Sequence, residues 1–205
     1  DENKKRTIRD KSNKDLSVIR KNIASQLEEK LIISLKKLGI PNVRFKVVFE
    51  ECEPTINGID KINFMFSANP GLPLAPLAET ASGGEKSRVL LAIKAIFSSF
   101  DQSKLLIFDE IDSGVSGSVS SYVANLLSDL SMHRQVFCVT HQPLIAAYAD
   151  NHFSLKKTVI ADKTKSTVID LKEIADRQRE LALLAGGEIV GANAYAASLL
   201  EHKAA

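Results

Sequence analysis

Two short, wholly apolar segments, residues 105–108 and 136–139, each run straight into polar residues. Asp109-Glu110 follow the first and Thr140-His141 the second. Runs this short between turn signals suit strands of a parallel sheet buried on both faces. Residues 118–130 between them have a helical pattern, and parallel strands need such a crossover. Each strand then delivers its polar residues to one edge of the sheet, the carboxyl-end edge at which parallel sheets bind ligands. The expected fold class is α/β, a mostly parallel sheet flanked by helices.

The segment before residue 77 has a different pattern. Leu16, Ile19, Ile23, Leu27, Leu31 and Leu35 recur at intervals of three and four, which predicts a helix over about 15–38. Gly39 and Pro41 end it. The stripe suits either the stub of a coiled coil or a helix packed on the domain's own sheet. Residues 1–14 are polar and read as disordered or as a remnant of something longer. Val43, Phe45, Val47 and Phe49 alternate with polar residues, as do Ile62, Phe64 and Phe66. The link 51–60 holds Pro54, Asn57 and Gly58, so the two runs form an antiparallel hairpin. A Pro/Gly-rich loop at 68–76 precedes a helix over 85–100. A second hairpin is expected at 152–157 and 167–171, then a last helical region interrupted at Gly186-Gly187.

Residues 1–37 carry 11 Lys/Arg against 6 acids, a net +5 within a chain of net +2. A basic stretch of this kind serves a DNA contact or a solvated helix face. Cys52 and Cys138 form no CxxC pattern, which argues against a zinc site or a disulfide framework and suits a reducing, cytoplasmic setting. No apolar run reaches the roughly 20 residues that span a membrane. The division expected is a basic helical segment at 1–38, a candidate coiled-coil stub, and an α/β lobe at 39–205.

Four motifs carry chemistry. Ser82-Gly83-Gly84-Glu85 opens a helix. Ser82 and Glu85 have capping-box spacing, and two glycines at a helix N-terminus let an anion approach free N–H groups. A well-capped helix alone has the same spacing. Asp109 at a strand end can hold Mg²⁺ directly or through water, and the adjacent Glu110 can orient or deprotonate an attacking water. A strand ending in solvated acids has the same sequence. Residues 111–117, with Asp112 and Gly117, form a turn-rich loop. His141, after the second strand, can hydrogen-bond a phosphate or the attacking water, although a lone His after a strand also serves structure alone.

In this order the motifs resemble the second half of an ABC-type, SMC-like ATPase head. Ser82-Gly83-Gly84-Glu85 resembles the signature motif, residues 105–110 Walker B with its catalytic Glu, 112–117 the D-loop, and His141 the switch histidine. The wording ETASGGEKSR, LLIFDEIDSGVSG and VTHQPLIAAYAD resembles bacterial SMC-like proteins of DNA double-strand break repair and recombination. The Asn-Pro-Gly loop and the stretch 179–187 fit the same group. The resemblance implies the C-terminal lobe of a head and a nucleoid-associated, cytoplasmic protein that uses ATP and Mg²⁺. By carry-over, Ser82, Gly83, Gly84 and Glu85 contact nucleotide held by a partner head. Asp109 holds Mg²⁺ through water, Glu110 activates the hydrolytic water, Asp112 belongs to the nucleotide-facing loop, and His141 senses the γ-phosphate.

No G-x-x-x-x-G-K-[ST] phosphate loop occurs in the sequence. Without it the chain lacks the backbone cradle and Lys that hold β- and γ-phosphates. The partners implied are an N-terminal Walker A half, from the same protein or a split partner, a second head in a head-to-head homodimer, and DNA in the full-length context, with no membrane. ATPase activity is then expected only with that half, and the sheet, short of strands, is left with an open edge or an uncovered apolar face. The alternative from another class is a catalytically inert DNA-binding or oligomerisation module on the same scaffold. A membrane-transporter ATPase shares the motifs but not the wording around them.

Overall fold

A computed structural model describes residues 1–98, 103–115, 117–160, 163–187 and 191–204. Packing divides the chain into two compact units, Asp1–Asp101 and Gln102–Ala205.

In the first unit, α1 (Glu2–Lys37) lies against an antiparallel hairpin of β1 (Arg44–Thr55) and β2 (Gly58–Ser67). The helix starts at Glu2, not near residue 15, so residues 2–14 are helical. They lack an apolar face but are rich in Lys and Arg, good helix formers that periodicity does not register. The helix ends in a Schellman arrangement: Ile40 N–H donates to Leu35 O at 3.0 Å and Gly39 N–H to Lys36 O at 3.2 Å. Gly39 takes φ 82° there, a conformation that costs other residues.

The stripe expected on α1 is split. Leu31 and Leu35 are fully buried and Ala24 beside them is buried, whereas Ile19 and Ile23 are exposed. Exposed Ile8, Ile19, Ile23 and Ile33 share roughly 80° of arc at 3.6 residues per turn, opposite the buried face. Ser17 Oγ donates to Asp60 at 2.6 Å and Arg20 pairs with it at 3.2 Å. Glu28 accepts from Val47 N–H and from Lys46 Nζ, both at 2.8 Å. The hairpin turn is tighter than the expected link, only residues 56–57, because the strands run on to Thr55 and Gly58. A two-residue strand β3 (Ala75–Pro76) pairs with β2 and leads into α2 (Leu77–Thr80) and α3 (Gly83–Ile96). The helix expected to reach residue 100 ends at Ile96; residues 99 and 100 lie outside the described set.

In the second unit, β4 (Leu105–Phe108) and β5 (Gln135–Cys138) pair parallel, joined through α4 (Ser118–Ser131). Leu106 and Phe108 are buried on one face. The other face is open: Leu105, Ile107, Phe137 and Val139 are 48, 63, 45 and 62% exposed. The sheet is therefore covered on one face, not both, and it is two strands wide among the described residues. After β5 comes α5 (Pro143–Ala147), which the sequence pattern did not suggest, then the hairpin β6 (Phe153–Ile160) and β7 (Lys163–Asp170). The expected glycine interruption separates α6 (Ile174–Leu184) from α7 (Ala192–Ala204). Ala146, Ala147, Leu181, Ala182, Ala196 and Leu199 form a core between α5, α6 and α7. No helix among the described residues is long and apolar enough to cross a membrane.

Candidate functional site

In the first unit, Ser82 caps α3. Glu85 N–H donates to Ser82 Oγ at 3.3 Å, while Ser82 N–H and Oγ both donate to Glu85 Oε2, at 2.8 and 3.0 Å. This reciprocal box satisfies two of the orphan donors of the first turn. Ser82 and Gly83 are exposed and Gly84 is buried. A 14-residue helix thus points a capped, glycine-lined N-terminus at solvent, with its dipole favouring an anion.

In the second unit, register carries the site. Leu105 pairs with Gln135 and Phe108 with Cys138, and Val139 N–H donates to Phe108 O at 2.9 Å. Asp109-Glu110 and Thr140-His141 therefore leave the sheet at one edge. Asp109 Oδ1 accepts from Glu110 N–H at 3.0 Å. Glu110 has φ 57°, the one described non-glycine residue with positive φ, a conformation costing about 1–3 kcal/mol that clusters at functional sites. Both acids are exposed.

Asp112 behaves differently. It is 2% exposed, and its Oδ2 accepts from Thr140 Oγ1 at 2.5 Å and from His141 N–H at 2.8 Å. His141 Nδ1 stands 3.1 Å from the same oxygen, on a side chain 72% exposed. Thr140 Oγ1 in turn accepts from Gln142 N–H at 3.0 Å, and Gln142 Nε2 donates to Val115 O at 3.2 Å. The loop after β4 and the loop after β5 are thus laced together. Ser116, within the expected loop motif, lies outside the described residues. Cys138 lies close by: burial pushes its thiol up to about 12, helped by the charges of Asp112 and Asp109. A thiol held neutral in this way is a poor nucleophile.

Structure brings Asp109, Glu110, Asp112 and His141 to one region of the second unit and gives Ser82 to Glu85 a helix N-terminus in the first. Thr140 and Gln142 were not singled out as site residues; a hydroxyl directly before a strand-end His was the only signal available. Among the described residues no cluster of three or more His, Cys, Asp or Glu could hold a metal. The two adjacent exposed acids at the strand end suit a Mg²⁺ ion, which keeps several waters and takes one or two carboxylates.

The fold these residues stand on is that of part of an SMC head domain. The SMC head with a coiled coil and joint from Pyrococcus yayanosii superposes with a TM-score of 0.56, at 21% identity, over 82% of this chain and 30% of that one. In sequence, the chain is similar to proteins named DNA repair protein RecN. It is 47% identical to the one from Synechocystis over 93% of its own length, 41% identical to that of Rickettsia conorii over 92%, and 38% identical to that of Halalkalibacterium halodurans over 85%. The chain spans about a third of the length of these relatives. No family model matches it.

Proposed function

We propose that the chain is the C-terminal lobe of a RecN-like ATPase head acting in DNA double-strand break repair and recombination. The observation that carries the reading is the shared edge of β4 and β5, where an acid pair and a histidine emerge together. In this reading Asp109 holds Mg²⁺ through water and Glu110 takes the proton of the attacking water. His141 faces the γ-phosphate from the neighbouring strand. Ser82, Gly83 and Gly84 present a helix N-terminus to nucleotide on a second head in a head-to-head dimer. ATP, once bound, supplies the phosphoryl group and most of the charge that positions the metal.

The phosphate cradle comes from a Walker A lobe, which also covers the open face of Leu105, Ile107, Phe137 and Val139. That face is too apolar to be left in water without cost, about 25 cal/mol per Å². The exposed isoleucine row on α1 supports a coiled-coil partner for the helical segment, and its lysines a contact with DNA. The protein works in the cytoplasm, at the nucleoid. In the test, the chain alone hydrolyses no ATP, and mixing it with the Walker A lobe of a RecN protein produces hydrolysis. Glu110→Gln lowers that rate at least about a hundredfold. Robust hydrolysis by the chain alone, or full activity of E110Q in the mixture, overturns the reading.

A further inference from the structure

We infer that Asp112 is a positioning residue for His141, and not a nucleotide contact: it fixes the imidazole with Nδ1 protonated and Nε2 bare and turned outward. The inference rests on the reading of His141 at the γ-phosphate and narrows its contact there to the attacking water, since a bare Nε2 accepts and cannot donate to a phosphate oxygen; its geometry stands by itself. Asp112 is buried, at 2% exposure, and an ionised carboxylate only accepts hydrogen bonds. The oxygen that faces His141 Nδ1 at 3.1 Å also takes the His141 N–H and the Thr140 hydroxyl. A carboxylate oxygen 3.1 Å from Nδ1 favours the tautomer with the proton on that nitrogen, and the partner of one ring nitrogen sets the state of the other.

The arrangement constrains His141 at both ends. One oxygen accepts from its backbone N–H and lies 3.1 Å from its ring Nδ1, while Thr140 donates to that oxygen and accepts from Gln142 N–H. Most of the histidine side chain remains in solvent, so the bare Nε2 is the atom free to accept from a water or a protonated group. The loop after β4 thereby dictates which nitrogen the loop after β5 offers. A shift of the first loop would reach His141 through one carboxylate, with no movement of the sheet.

Long-range ¹H–¹⁵N correlation spectra of the 205-residue chain, recorded at about pH 9 where ordinary imidazoles hold one proton, test this directly. His141 is assigned by its loss in H141Q. The expected spectrum shows Nδ1 as the protonated nitrogen and Nε2 as the bare one. Asp112→Asn fills the same space without the charge and is expected to lose the fixed tautomer to the mixture shown by exposed imidazoles; Thr140→Val keeps the carboxylate and is expected to retain it. A wild-type His141 with Nε2 protonated, or with the solvent mixture, overturns the inference. So does a D112N chain that keeps the wild-type pattern, since a packing role alone would leave the tautomer unmoved. The measurement reads proton position and not hydrolysis, so its outcome is separable from that of the ATPase test.

Discussion

Asp60 shows how one residue ties α1 to the hairpin. Its side chain is 5% exposed beside Arg20, and its pKa is held below the ordinary carboxylate value, first by the Ser17 hydroxyl, against desolvation, then by Arg20 and Lys21. A depressed folded-state pKa means stability present above the unfolded value near 3.9 and lost as pH falls through the folded one. Ser17→Ala should therefore cost about 1.5–3 kcal/mol in urea unfolding at pH 7, and the gap from wild type should narrow as pH falls below the ordinary carboxylate value. A gap unchanged by acid would show that Ser17 acts by packing alone. Little of this was legible in the sequence. Ser17 and Asp60 are 43 residues apart, and no local pattern links them. Asp109, Glu110 and His141 were legible because strand ends announce themselves. Asp112's burial was not, since it depends on the loop that follows β5, and no local pattern announces the φ of Glu110.

Among the elements, β4 was read to the residue and β5 within one, because a short apolar run bounded by polar residues leaves little room for slippage. What the run could not say is which face is covered. Ile107 and Phe108 are equally apolar in sequence, yet Ile107 is 63% exposed and Phe108 1%. Phe108→Ala should cost about 3–5 kcal/mol of the chain's own stability; Ile107→Ser should stay within about 0.5 kcal/mol. Denaturant unfolding of the two variants checks this, and equal losses would mean the open face is covered in solution. The helix α1 shows the opposite limit. Its last turns were found through Leu31 and Leu35, and residues 2–14 were missed because a polar helix has no apolar period. The single stripe read through Ile19 and Ile23 divides in three dimensions into a face buried on the hairpin and a face left to solvent.

At the scale of the molecule, the chain is similar to about a third of RecN and has the fold of part of an SMC head. In the proposed reading its parts are a strand-end acid pair and a histidine in the second unit and a capped glycine helix N-terminus in the first. The part absent from the sequence is the phosphate loop. The division expected at residue 38 remains a proposal about the helical segment; by packing, that helix sits in one compact unit with the hairpin. Nucleotide binding tests the central claim most directly. Calorimetric titration of the chain with MgATP should give no saturable binding at millimolar ligand, and adding a RecN Walker A lobe should make binding saturable. Tight, saturable binding of MgATP by the chain alone would contradict a lobe that depends on another for its phosphate cradle.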